Sequence, residues 1–242
     1  MRNLKFALAF IAIILIQANA SIAQTAEEIV QKHIDAMGGI DNWRKVNMIR
    51  IKGSTSANGT EIPLTVTMLQ NKGLKVEYTF SGMTGYTIIT DKTGWNYSPF
   101  GGQTKPEAMP DEAVKQAQDG LDPQGPLVDY KTKGHKIVYL GKDDVEGTDC
   151  YKLKLIMASG KEQTLYFDAS NYYNIKSVTK VTANGKEMEQ TSQFGNFQKM
   201  PEGIVYPMSI DQGMGMMTVK SVEINKALPD NFFVPAEMET KK

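Results

Sequence analysis

Two runs decide the fold class: Ile62-Pro63-Leu64-Thr65-Val66-Thr67-Met68 and, after a turn at Asn71-Lys72-Gly73, Leu74-Lys75-Val76-Glu77-Tyr78-Thr79-Phe80-Ser81. Apolar and polar residues alternate along both. Side chains on a strand point to opposite faces in turn, so each run predicts a strand with one face buried and one solvated. Antiparallel sheets allow that asymmetry. The pair therefore predicts a hairpin, and the rest of the chain repeats the device.

Upstream the period is helical. Thr25-Ala26-Glu27-Glu28 is a capping box, in which Thr25 caps the helix start and Glu28 bonds back. Ile29, Val30, His33, Ile34 and Met37 form one apolar stripe, and Gly38-Gly39 ends the helix. His33 sits on that stripe and is expected to be a satisfied core or boundary residue. A short helical piece from Asp41 to Val46 carries Trp43. From about residue 47 the period becomes two. Met48–Ser56 predicts the first strand, closed by an Asn58-Gly59 turn.

Downstream, Tyr86 and Ile88 lead into Asp91-Lys92-Thr93-Gly94-Trp95-Asn96-Tyr97-Ser98-Pro99-Phe100. Asp91 to Gly94 predicts a tight turn. Trp95 and Tyr97 share a strand face, and Pro99 stops the ladder. Two large aromatics beside a loop suggest the wall of an apolar cavity, against the alternative of ordinary core aromatics. Residues 101–133 form an insert. Pro110 opens a helix over Asp111–Asp119, and Pro126–Lys131 predicts a second helix or turn. The insert has few apolar residues and would cover a sheet lightly, as a lid does.

After Gly134 the strands resume as hairpins, with turns around Asp143–Thr148 and at Ser159-Gly160, Ser170-Asn171, Asn184-Gly185, Glu202-Gly203 and Gly213-Met214-Gly215. Tyr151, Leu153, Leu155 and Met157 share one face, opposite Lys152 and Lys154. The whole predicts one strongly curved antiparallel sheet of about ten or eleven strands with helices on its concave side.

The start of the chain carries an address. Arg2 and Lys5 precede an apolar run from Phe6 to Ile16 and small residues ending Ser21-Ile22-Ala23. That order predicts a secretory signal peptide over residues 1–23, with Gln24 as the mature N-terminus. The run is shorter than the ~20 residues of a spanning helix. No cysteine follows it, so no lipid anchor is expected. Residues 24–242 are expected to form one domain, holding 25 Lys and Arg against 27 Asp and Glu. That near-neutral balance offers no basic field for nucleic acid. Cys150 is the only cysteine and is read as a packed apolar residue.

No catalytic constellation stands out: there is no HExxH, G-x-S-x-G or P-loop. Asp143, Asp144, Glu146 and Asp149 lack calcium-loop spacing and read as a solvated turn. Thirteen methionines follow residue 23, and Met208, Met214, Met216 and Met217 crowd one hairpin. Methionine suits surfaces that accept variable apolar shapes, although core filling and a soft-metal site are rival readings.

The Asp-x-x-x-x-Trp-x-Tyr-x-Pro-Phe pattern of Asp91 to Phe100 resembles the LolA-type periplasmic lipoprotein carriers. The resemblance extends to the N-terminal helix, the insert, the run of hairpins, Val145-Glu146-Gly147-Thr148-Asp149-Cys150-Tyr151-Lys152-Leu153, and a terminal Phe-x-x-Pro at Phe232 to Pro235. It implies a half-open antiparallel β-barrel with helices plugging the opening, and a cavity that takes acyl chains. It also implies a soluble periplasmic monomer without cofactor or enzymatic activity. Such a protein would carry acylated ligands, most concretely lipoproteins bound for the outer membrane, between membrane-bound donor and acceptor proteins. The expected lining is Leu64, Val66, Met68, Val76, Tyr78, Tyr86, Trp95, Tyr97, Met208, Met214 and Met216. Where proteobacterial carriers have Lys-Arg-Pro, whose Arg helps hold the cavity closed, this chain has Asn71-Lys72-Gly73. Lys72 cannot supply the forked contacts of Arg, so an energy-linked release cycle does not carry over. The alternative is a non-catalytic envelope module of the same fold that binds a protein partner.

Overall fold

The computed structural model describes residues 25–57, 59–183, 186–213 and 215–235. The expected signal peptide, Asn58, the Asn184-Gly185 turn and Met214 lie outside the described residues. Among the described residues no helix is long and apolar enough to cross a membrane.

Helix α1 spans Ala26–Ala36 with its capping box formed, Glu28 N–H donating to Thr25 Oγ1 at 3.2 Å and Thr25 N–H to Glu28 Oε2 at 2.9 Å. Ile29, Val30 and Ile34 are its buried stripe. Gly38 must be glycine: its φ is +106°, and a Cβ there would stand 2.2 Å from the Gly203 carbonyl oxygen. Helix α2, Ile40–Trp43, follows, and the Trp43 indole N–H donates to the Met37 carbonyl at 2.8 Å.

Among the described residues thirteen strands then form one antiparallel sheet. The first six are β1 Met48–Ala57, β2 Thr60–Leu69, β3 Gly73–Phe80, β4 Met83–Thr90, β5 Gly94–Tyr97 and β6 Glu107–Ala108. The second series is β7 Lys136–Val145, β8 Thr148–Ile156, β9 Glu162–Asp168, β10 Asn174–Ala183, β11 Lys186–Lys199, β12 Val205–Asp211 and β13 Met216–Ile224. Their order is β6-β5-β4-β3-β2-β1-β13-β12-β11-β10-β9-β8-β7. Two meanders are thus joined by one non-sequential pairing, β1 with β13. The sheet stays open, with β6 and β7 as its edges. It exceeds the expected ten or eleven strands in part because two residues between Pro106 and Pro110 still pair, Trp95 with Ala108 and Asn96 with Glu107. The acidic segment also stays in the ladder: β7 continues through Asp143 and Asp144 to Val145 before turning at Glu146-Gly147.

Register assigns the faces, because directly paired residues share one side of a sheet. Ile51, Val66, Val76, Thr87 and Asn96 pair in series across β1 to β5 and lie on the concave face. So do Ile49, Met68, Leu74 and Ile89. Arg50, Thr67, Lys75, Ile88 and Trp95 form the neighbouring series on the convex face. On the concave side α1 packs Ile29, Val30 and Ile34 against Leu153, Leu155, Leu165 and Phe167.

The segment from Met109 to His135 crosses the open side from β6 to β7. Helix α3, Asp111–Ala117, and a 3-10 turn at Gln118–Leu121 set Val114 and Leu121 on Leu74 and Ile89. The expected helix at Asp111–Asp119 is thus α-helical only to Ala117, and Pro126–Lys131 forms turns. The crossing is tied down by hydrogen bonds: Met109 N–H to Gly94 O at 2.8 Å, Asn71 N–H to Leu121 O at 3.1 Å, Ser159 Oγ to Asp119 at 2.9 Å, and Gln124 Nε2 to Val46 O at 3.1 Å. Arg44 clamps Asp129 with two bonds, at 2.9 and 2.6 Å.

The C-terminal segment covers the convex face. Phe232 lies under Arg50 and Lys75, with cation-to-ring distances of 5.5 and 4.9 Å. The Phe233 ring occupies the space above Gly73, where a Cβ would meet it at 2.6 Å. Gly73→Ala is therefore expected to destabilise the fold by about 1–3 kcal/mol through overpacking. In a Phe233→Ala background the same change should cost much less, and urea unfolding of the four proteins of this cycle measures the difference. Additive costs would show that the ring does not sit on Gly73.

Candidate functional site

A cavity of about 460 Å³ lies between the helices and the concave face of β9 to β11. That is within the range of small-molecule sites. Its two walls differ. The cap side presents Ile34, Met37, Trp43, Leu127 and Val128. The sheet side presents rows set by register: Gln163, Thr179 and Gln190 on one rung, Leu165, Ser177 and Ser192 on the next. Ser177 and Thr179 are buried. These side chains are uncharged donors and acceptors, while Lys161 and Asp119 stand at the margin. The arrangement can enclose an apolar chain on one side and hydrogen-bond a neutral polar group on the other.

His33 lines this cavity from α1. Its Nδ1 lies 2.9 Å from the Tyr172 carbonyl oxygen, which can only accept, so Nδ1 carries the proton. The ring meets Phe167 edge-on at 4.9 Å. Removal from water lowers its pKa from 6.5 to about 4, and the Tyr172 carbonyl opposes that shift only partly. Tyr172 itself holds a φ of +63°, a conformation that bulky residues avoid and that aims its carbonyl at His33.

The expected lining residues divide by strand face. Leu64, Val66, Met68, Val76 and Tyr78 lie on the concave side, in series with Ile51 or Ile49. Met208 is buried in the same core as Trp43 and Val128. Val66 and Met68 pack against that same core, which shares Met37, Trp43 and Val128 with the cavity. The Tyr78 ring packs over Gly85, with Phe100 tilted against it at 5.5 Å. Tyr86, Trp95 and Tyr97 lie on the convex side, because Ile88 pairs with Trp95 and Tyr86 with Tyr97 and Glu77. Tyr86 and Tyr97 pack together there at 5.4 Å. Met216 pairs with Asp211 at the start of β13, is exposed, and takes a bond from Ser209 Oγ at 2.8 Å. None of these described residues lines the 460 Å³ cavity.

The polar wall is what the sequence reading missed. Glu189 to Ser192 is polar on both faces, so no alternation marks which side turns inward. Elsewhere, Cys150 is fully buried with Val145 and Tyr166, and burial pushes its thiol up to about 11. Asp143 bonds Lys152 at 2.8 Å on the outer side of the sheet, and this holds its carboxyl below the usual range. Lys72 lines a cleft beside Phe233 and the C-terminal segment.

No protein-family model matches the chain, and no curated protein matches its sequence. Solved structures do match. A LolA superfamily protein from Nitrosomonas europaea superposes with a TM-score of 0.54 at 16% identity, covering 87% of this chain and 98% of its own. A domain assigned to outer membrane lipoprotein sorting, from Vibrio parahaemolyticus, gives 0.50 at 15% identity, over 86% and 95% of the two chains. A DUF1329 family protein from Desulfovibrio piger gives 0.52 at 11% identity, over 87% and 98%. The chain has a LolA-like fold.

The His33 environment has a pH consequence. The folded pKa lies below the unfolded one, so as pH falls from 6.5 toward 4 the unfolded chain takes up a proton that the folded chain refuses. The stabilisation is complete above pH 6.5 and is lost across that window, by up to ~3 kcal/mol. His33→Asn keeps a donor near Tyr172 without the titration. Its urea-derived stability should fall less than that of the wild type between pH 7 and 4.5, and parallel profiles would refute this.

Proposed function

We propose that this protein is a non-catalytic carrier of acylated ligands, and most concretely of lipoproteins in transit through the periplasm. The observation that carries the reading is the half-open cavity, whose cap residues Met37, Trp43 and Val128 belong to the same apolar core as Val66 and Met68 of β2. An acyl chain of such a ligand would lie along Leu64, Val66, Val76 and Tyr78 and under the cap. Its linkage group, ester or amide, would face Ser177, Thr179, Gln190 and Ser192. Each buried CH₂ contributes about 0.8 kcal/mol, so a long chain is held by burial, and release needs no bond to break. The signal-peptide pattern of residues 1–23 supports a periplasmic location. The lipoprotein-sorting assignment of the Vibrio domain supports the choice of cargo.

Native mass spectrometry of the mature protein, residues 24–242, purified gently from a periplasmic extract, tests this directly. A carrier should show extra mass that organic extraction removes. A fluorescent acyl probe then gives an affinity. Ser192→Trp fills the cavity and should weaken probe binding roughly tenfold or more, with the melting temperature shifted by only a few degrees because Ser192 is half-buried at the cavity wall. An apo mass together with no probe binding would turn the reading to a protein-binding envelope module.

A further inference from the structure

The cavity and a set of exposed apolar side chains meet at one end of the sheet. Meander topology brings the tips of the β1–β2, β3–β4, β10–β11 and β12–β13 hairpins to that end. Gly215, at the β12–β13 tip, lies against Ser56 at the end of β1, where a Cβ would stand 3.3 Å from the Ser56 carbonyl oxygen. The cavity reaches this end through Thr179, Gln190 and Gln212. The same end of the sheet carries Phe80 and Met83, paired across the β3–β4 turn, Met188 on β11, and Met216 on β13, which shares the outer face with its partner Asp211. They are 39%, 43%, 57% and 55% exposed. Single exposed apolar residues are ordinary, but these four stand on three hairpins whose tips lie at one end of the sheet.

The β10–β11 hairpin also overruns its neighbours. The last rung from β10 to β9 is Thr179 with Gln163, and the last from β11 to β12 is Gln193 with Asp211. Beyond them Val181 pairs with Met188 on an arm that, among the described residues, has no strand beside it. Polar or small residues separate the apolar ones: Ser81, Gly82 and Thr84 around Met83, Glu187 and Glu189 around Met188. That spacing gives no contiguous patch for a protein partner. The charges of Lys180, Glu187 and Glu189 are of mixed sign, so no basic field draws the end to anionic lipid. Isolated apolar side chains on projecting tips suit shallow seating in a neutral lipid interface.

We propose that the hairpin-tip end docks on a zwitterionic bilayer surface, with Phe80, Met83, Met188 and Met216 seated in it. An acyl chain then passes between membrane and cavity without crossing water. This rests on the carrier reading, and the two are separable by experiment. The mature protein is sedimented with phosphatidylcholine vesicles, and its affinity for the fluorescent acyl probe is measured separately in solution. The wild type should co-sediment. Met83→Asp/Met188→Asp should lower the vesicle partition roughly tenfold or more, while Met83→Leu/Met188→Leu retains it and both keep probe affinity within about twofold. A wild type that stays in the supernatant, equal partition of the Asp variant, or binding only to vesicles with added anionic lipid would each overturn the docking. Vesicle binding with no probe binding would support the docking and remove the carrier function instead.

Discussion

The pairing of β1 with β13 is the constraint on which the rest of the molecule depends. Every other pairing joins strands adjacent in the chain, so without this one there would be two separate meanders. Ile49 faces Ile224 and Ile51 faces Val222, and a register shift at Lys52-Gly53 bends the seam. Polar contacts guard its ends. Arg50 and Lys52 both reach Glu223, at 3.1 and 2.7 Å. Asn225 accepts from the Asn47 and Met48 backbone N–H groups and donates to Lys45 O, so one side chain satisfies the chain where it leaves α2 and enters the sheet. The surface ion pairs add little energy individually; their contribution is to register.

Closing the seam creates a concave surface too large for one helix to cover. Helix α1 fills it over β8 and β9, α2 and Val46 fill it over β1, and the crossing segment fills it over β3 and β4. The cavity is what these three coverings leave between them. Its sheet wall tolerates small polar residues because a strand face that no helix touches has no packing demand for bulk. Such residues would be costly under α1, where Leu153, Leu155 and Phe167 exclude water. The same logic explains His33: it bridges the packed and unpacked regions, bonded to Tyr172 on one edge and open to the cavity.

The convex face has its own covering in the C-terminal segment. Met48, Thr67 and Ile88 are buried there, although they belong to the outward series of their strands. Phe232 packs against Arg50 and Lys75 of that series, Arg50 donates to Thr67 Oγ1 at 3.3 Å, and Gly73 makes room for Phe233. The outer face thus adds burial without filling the cavity on the inner one.

Much of the fold was legible in the chain itself. The capping box, the Gly38-Gly39 stop, the strand runs and most turns are local matters of propensity and spacing, and they stand where the sequence puts them. The two faces of each strand were legible too, because alternation has a period of two. Which face turns inward was not. Leu64, Val66, Val76 and Tyr78 read as inward and lie on the concave side, whereas Trp95 and Tyr97, equally apolar, lie on the convex side. Their side follows from Ile88 pairing with Trp95, one strand away, and from Phe232 covering the outer series more than a hundred residues later. Glu189 to Ser192, polar on both faces, held no signal of the wall it forms. Local pattern determines that a strand has two sides. Only the non-local register, set at the β1–β13 seam, decides which of them encloses a cavity.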